Sequence, residues 1–328
     1  MSFRRIYVEI VMTLMFVKEF TQNLLRFVYM GRNRYKKTNR LDGKVVVITG
    51  ANTGIGKETA YQLSLRGAKI IMCCRDVDRG LAAAADIIVK NSRAVLTVME
   101  LNLSSLSSVR RLAKQLTQKE PTIDILINNA GVMMCPPMTT DDGFEMQFGT
   151  NHLGHFLLTL LLLDNMKTSA DARVITVSSM HAMRGQIYFS DINLKDNYSP
   201  LEAYCQSKLA NIHFTRQLAK RVAKQWPHIT AHAVHPGTIR SDLFRHLTGL
   251  TALIYKTIGF IFNIDCDLGV QTTLHCALDP EVRHETGFYY SNCKKVECLL
   301  REASDDWIGR KLWLLSEQMV SIEDKYMI

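Results

Sequence analysis

Six short runs rich in β-branched residues, each followed by a stretch of helical composition, constrain this chain more than any other feature. Lys44–Thr49 (KVVVIT) is continuously apolar after its lysine, as a strand covered on both faces requires. Lys69–Cys74, residues 94–100, Ile123–Asn128, Arg173–Ser178 and Thr230–His235 read as five more strands. Between them the pattern predicts helices from a glycine turn to about Arg66, then over 78–90, 105–118, 142–167 and 203–224. Strands that alternate with helices imply parallel crossovers, so the expected fold is α/β, a doubly wound parallel sheet with helices on both faces. Such sheets bind ligands at the carboxyl ends of their strands. Trp307, Leu312, Trp313 and Leu315 recur at helical spacing and predict a docked terminal helix. The chain therefore divides into a segment 1–40, a single domain 41–300 and a C-terminal helix within 301–328.

The net charge of +9 suggests nucleic acid, but its distribution does not. Residues 1–40 hold nine Lys/Arg and two acids, seven of those nine net charges, and the rest of the chain is nearly neutral. No nucleic-acid-binding motif accompanies them, so no nucleic-acid partner is expected. The eight cysteines are scattered, with no Cys-x-x-Cys pair or zinc-ligand spacing, which predicts reduced thiols and no metal. Within the N-terminal segment, the apolar run Ile6–Val17 is interrupted by Glu9, and Lys18, Glu19 and Arg26 follow, too many charges for a good spanning helix. Lys18, Glu19, Gln22 and Arg26 oppose Phe16, Leu24, Leu25 and Phe27, a pattern suited to a helix lying in a membrane surface. The cluster Arg32–Arg40 would then meet anionic headgroups; the alternative is a helix docked on the protein's own body.

The turn after the first strand reads Thr49-Gly50-Ala51-Asn52-Thr53-Gly54-Ile55-Gly56. Glycines let the backbone approach a pyrophosphate, and the following helix offers free N–H groups, so Gly50, Asn52, Thr53, Gly54, Ile55 and Gly56 are candidate dinucleotide ligands in a Rossmann-like fold. At the end of the second strand, where an NAD site usually has an acid, stand Cys74 and Arg75. A guanidinium there can bind a 2′-phosphate, which favours NADP(H).

Asn128-Asn129-Ala130-Gly131, Ser178-Ser179, Tyr204-Cys205-Gln206-Ser207-Lys208 and His235-Pro236-Gly237 follow at strand ends or on the next helix. With the glycine turn, this ordered set resembles the short-chain dehydrogenase/reductase family over roughly residues 41–300. Residues four apart on a helix share a face, so Tyr204 and Lys208 can point into one site. A lysine charge ~5 Å away at an effective dielectric of ~20 contributes ~3 kcal/mol, enough to lower a phenol's pKa by about 2. Tyr204 could then serve as general acid in reduction and base in oxidation.

The resemblance implies that Lys208 also holds the nicotinamide ribose, that Ser179 hydrogen-bonds the substrate oxygen, and that Asn151 anchors a proton-relay water. It also implies cofactor contacts from Asn129, Ala130, Gly131, Pro236, Gly237 and Thr238. The family usually has Asp-Leu after the third strand, touching adenine; Asn102-Leu103 stands here, which puts that contact in doubt.

TGANTGIGK, NNAGVMMCP, DGFEM, NHLGHFLL and YCQSKLAN closely resemble the membrane-associated, NADP-dependent retinol/retinal dehydrogenases. That implies an apolar alcohol or carbonyl as substrate, a retinoid or related lipid aldehyde, with Met133 and Met134 at the site's mouth and a substrate-covering segment over 239–265. His152, His155 and His181 flank the site and are expected to be neutral packing residues. Alternatives are the same chemistry on a steroid or other lipid carbonyl, and an inactive NADPH-binding scaffold. The resemblance implies the endoplasmic reticulum membrane, ahead of the mitochondrial one, with the catalytic domain facing the cytosol; a homodimer is compatible with it.

Overall fold

The computed structural model describes residues 33–237, 265–296 and 299–328. Eight strands form one sheet in the order β3-β2-β1-β4-β5-β6-β7-β8. The first six are β1 (Val45–Thr49), β2 (Lys69–Cys74), β3 (Val95–Glu100), β4 (Ile125–Asn128), β5 (Ala172–Val177) and β6 (Ile229–His235), all parallel as expected. Two further strands extend the sheet: β7 (Phe288–Ser291), parallel to β6, and the two-residue β8 (Lys294–Lys295), antiparallel to β7. The order reverses between β1 and β4, which opens a crevice at their carboxyl ends.

Alternation along each strand feeds two cores. Val46, Ile48, Ile70 and Met72 pack with Ala60 and Leu63 of α1 (Gly54–Ser64), Ala83 and Ile87 of α2 (Val77–Lys90) and Leu274 of α6 (Gln271–Leu278). Val47, Ile71, Leu126 and Val174 face the other way. They meet Leu112 of α3 (Leu106–Lys119), Phe156 of α4 (Gly154–Lys167), Leu218 of α5 (Pro200–Gln225) and Trp313 of α7 (Asp306–Met319). Strands with both faces covered can be apolar throughout, which is why β4, β5 and β6 are buried at every residue.

The helix expected over 142–167 begins later and is not uniform. Asp142 accepts the Leu106 N–H at 2.8 Å and so serves α3 instead, while the Glu145 carboxylate takes the Gln147 and Phe148 N–H groups. An α-turn at Met146–Phe148 leads into a π-helical stretch at Gly149–Leu153 and only then into α4. The terminal helix docks with Leu312 and Trp313 buried, while Trp307 is 57% exposed. Since Trp313 contacts Phe156 and Phe214, this helix belongs to the core of the same domain.

Residues 33–40 lie along the body as an irregular strap. Arg34 pairs with Asp267 at 2.6 Å, Lys37 with Asp279 at 2.9 Å and Glu281 at 3.2 Å, and Arg40 with Asp42. These three cations, expected to face headgroups, are engaged within the protein. Residues 1–32 and the greater part of the 239–265 segment lie outside the described residues. No helix among the described residues is long and apolar enough to cross a membrane.

Candidate active site

At the β1–α1 turn, Gly50 and Gly54 adopt φ of +65° and +55°, a region costly for other residues. A Cβ on Gly56 would lie 2.2 Å from the Gly50 oxygen, and one on Gly50 would lie 2.9 Å from Ala130 Cα. The turn therefore closes against the end of β4 with no room for side chains. Asn129 Nδ2 donates to the Thr49 oxygen at 2.8 Å and bolts the two loops together. The first turn of α1, beginning at Gly54 after Thr53, carries no acidic residue, so its N–H groups meet no competing negative charge. Asn52, Thr53 and Ile55 are half-buried along the turn, a cradle that fits a pyrophosphate.

Arg75 is exposed at the end of β2 and makes no ion pair among the described residues. The reading of this corner overlooked Asp76. Its carboxylate accepts the Arg79 N–H at 3.0 Å as the cap of α2. Cys74 is buried, its thiol donating to the Asp76 oxygen at 3.2 Å. After β3, Asn102 Oδ1 accepts from Ser104 N at 3.1 Å and Ser104 Oγ at 2.8 Å, which leaves Nδ2 as the group able to meet a base. Leu103 is buried, and its oxygen lies against Gly154, where a Cβ would come within 2.6 Å.

Ser199 caps α5 and Pro200 opens it, which places Tyr204 and Lys208 one turn apart and buried. Lys208 Nζ donates to the Val177 oxygen at 3.0 Å and lies 5.8 Å from the Tyr204 ring centroid. Burial pushes the Lys208 ammonium down to about 8. Ser179 follows β5, and its Oγ accepts the His181 N–H at 3.2 Å. A Cβ on Gly131 would lie 3.3 Å from Asn151 Oδ1 and 3.5 Å from Lys208 Nζ, so Gly131, Asn151 and Lys208 converge. Asn151 Oδ1 accepts from Val132 N at 2.8 Å, and its Nδ2 donates to the Val132 oxygen and Ser207 Oγ, each at 2.9 Å. Its side chain thus ties the β4 loop to α5.

Motif reading gave Thr49 no role of its own and His155 only that of a neutral packing residue. His155 Nδ1 lies 2.9 Å from the Asn151 carbonyl oxygen and Nε2 lies 2.8 Å from Thr49 Oγ1. A carbonyl only accepts, so Nδ1 carries the proton and Nε2 accepts from the Thr49 hydroxyl. Thr49 Oγ1 in turn accepts the N–H groups of Asn129 and Ala130 at 2.9 and 3.0 Å. Burial holds His155 down at about 4 and His152 at about 3, neutral as expected. The spacing of His155, four residues after Asn151, was the available signal.

Pro236 and Gly237, the latter at φ +90°, close β6, and Thr238 lies outside the described residues. Met133 is buried and Met134 half-buried in a left-handed conformation at φ +57°, held by its N–H to Gln147 Oε1 at 2.9 Å.

The short chain dehydrogenase family model matches residues 44–249. The chain belongs to that family. Among relatives of this short-chain dehydrogenase, retinol dehydrogenase 12 of Homo sapiens is 47% identical over 287 residues, covering 87% of this chain and 89% of that one. Retinol dehydrogenase 13 of Homo sapiens is 44% identical, covering 86% of each. Retinol dehydrogenase 14 of Homo sapiens is 43% identical, covering 86% of this chain and 88% of that one. A crystal structure of a protein from Mycobacterium paratuberculosis superposes with a TM-score of 0.72 at 37% identity, covering 89% of this chain and 99% of that one. The short-chain dehydrogenase is an oxidoreductase that works with a nicotinamide dinucleotide.

Proposed function

We propose that this short-chain dehydrogenase uses NADP(H) to interconvert an apolar alcohol and its aldehyde or ketone, with retinol and retinal as the foremost pair. The convergence of Tyr204, Lys208, Asn151 and Gly131 beside the glycine turn carries the reading. The substrate class rests on the similarity to several retinol dehydrogenases over nearly the whole chain. A bound nicotinamide supplies or accepts the hydride.

The protein's own residues handle orientation and the proton. In reduction Tyr204 donates its phenolic proton to the substrate oxygen, and in oxidation it takes that proton back. Lys208 stabilises the resulting phenolate and holds the ribose; Ser179 donates a hydrogen bond to the substrate oxygen as its charge grows. Asn151 fixes the Gly131–Val132 backbone beside Lys208 and positions a relay water. Gly50, Asn52, Thr53, Gly54, Ile55 and Gly56 hold the pyrophosphate, and Arg75 selects the 2′-phosphate. Asn102, Leu103, Asn129, Ala130, Pro236, Gly237 and Thr238 complete the cofactor site, and Met133 and Met134 line the substrate side.

Tyr204→Phe is expected to lower turnover of all-trans-retinal by about 10²–10⁴-fold while NADPH still binds, read by nicotinamide fluorescence. Arg75→Asp should weaken NADPH far more than NADH; equal weakening would overturn the NADP assignment.

The basic, amphipathic pattern of residues 1–32 supports membrane association, with the endoplasmic reticulum membrane and a cytosol-facing catalytic domain as the proposed setting. Because residues 33–40 are tied to the body, deletion of 1–32 is the clean test. It should move the protein from the membrane to the soluble fraction with turnover of a water-soluble aldehyde retained.

A further inference from the structure

The strap that joins the N-terminal segment to the domain has a direction. Asn33 is held at both its N–H, which donates to Asn292 Oδ1 at 3.0 Å, and its Nδ2, which donates to the Asn292 oxygen at 3.0 Å. Asn292 follows β7, whose last residue Ser291 pairs with His235 at the carboxyl end of β6. The strap then descends along α6. The Tyr35 N–H meets Gln271 at the start of that helix, Lys37 meets Asp279 just past its end, and Arg40 reaches the Leu65 oxygen at the end of α1. Residues 33–40 therefore run from the carboxyl edge of the sheet to its amino edge.

The described chain therefore begins, at Asn33, on the edge that carries Gly50, Ser179 and Tyr204. Neighbouring strands are about 4.8 Å apart, so the end of β7, two strands from β5, lies about 10 Å from the start of the Ser179 loop. Asn33 is fixed to the body by two hydrogen bonds, so residues 33–40 add no free length between this edge and the segment before them. The opposite edge is farther by the length of the strands, about 20 Å for six residues. Exposed Met138 after β4 and exposed Lys294 beside the Asn292 turn offer the carboxyl edge an apolar and a cationic contact.

We propose that the carboxyl edge of the sheet is the face this protein turns to a lipid bilayer, so that an apolar substrate passes from the membrane into the crevice without crossing bulk water. This deepens the membrane reading above and rests on it. The bilayer is favoured as occupant because the 32 residues that precede Asn33 are basic and amphipathic by sequence.

Hydrogen exchange of the full chain on vesicles of phosphatidylcholine with phosphatidylserine tests it, with flotation measured on the same sample. The expected result is flotation, with new protection in peptides covering 132–139, 179–190 and 290–296. The opposite edge, at 65–68, 120–122, 169–171 and 226–228, should exchange as in solution. Flotation with protection confined to residues 1–32, or falling on the opposite edge, overturns the orientation and leaves membrane association standing. Absence of flotation overturns both.

A second variant separates orientation from anchoring. A flexible Gly/Ser insertion of about 20 residues between Arg32 and Asn33 reaches about 25 Å and frees the body to rotate. It should still float, but lose the edge protection and lose several-fold in turnover of vesicle-dissolved aldehyde relative to a water-soluble one. An unchanged ratio and unchanged protection would overturn the proposal.

Discussion

His155 has both ring nitrogens committed, one to the Asn151 carbonyl and one to the Thr49 hydroxyl that organises the Asn129 and Ala130 N–H groups. Removing one partner of a buried hydrogen bond leaves the other unsatisfied at a cost of about 1–3 kcal/mol. His155→Leu is therefore expected to weaken NADPH binding and lower kcat together, because the cofactor turn and the Asn151 backbone lose their common support. His155→Gln, whose amide can donate at one atom and accept at the other, should recover much of both. Fluorescence titration and steady-state kinetics on the two variants check this; equal damage from both would reduce the residue to a space filler. Lys208 adds a pH dependence. Its folded pKa is pushed below the ordinary lysine value to about 8, so its ammonium persists below that pH and is lost above it. NADPH capture by the free enzyme should weaken as pH rises through about 8, and Lys208→Arg should remove that limb.

Among the elements, the helical run from Met146 to Lys167 shows most clearly how packing sets local geometry. Its π-helical stretch holds Asn151, and Gly154 begins the regular α4 directly against the Leu103 backbone. A methyl group at Gly154 would meet the Leu103 oxygen at 2.6 Å, backbone that can retreat only by moving the loop after β3. Gly154→Ala is expected to destabilise the protein by about 1–3 kcal/mol, the usual cost of overpacking, despite the better helix propensity of alanine. Chemical denaturation measures it. The helical pattern of this region was readable in sequence, but its start and its π-helical stretch were not. Asp142 and Glu145 look like first-turn acids until the structure shows that one caps a different helix and the other caps from outside. The two extra strands were missed for a related reason: Phe288–Ser291 is short, and its pairing partner β6 lies more than fifty residues earlier.

At the scale of the whole molecule, four buried histidines carry a common signature. Burial holds His152 at about 3 and His155, His213 and His232 at about 4, all below the ordinary histidine value. In the unfolded chain these groups protonate near pH 6.5, so between that pH and about 4 the unfolded state binds more protons than the folded one. Their contribution to stability is fully present above pH 6.5 and is lost as pH falls through this window. The melting temperature should drop steeply from pH 6.5 to 4, with proton uptake on unfolding near pH 5. A flat profile over that range would show that these side chains reach solvent.

Sequence alone determined the alternation of the first six strands with helices, the parallel sheet, the glycine turn, and the pairing of Tyr204 with Lys208 on one helix face. Each of these follows from local periodicity or short spacing, which the chain carries without reference to distant partners. Tertiary structure decided the rest. It set Arg34 and Lys37 to ion pairs with Asp267 and Asp279, Asn33 to Asn292, Asp142 to the first turn of α3, and His155 to joining Thr49 with Asn151. A polar side chain has several admissible partners within its reach, and only the packed backbone brings one of them to hydrogen-bonding distance while burial excludes water from competing.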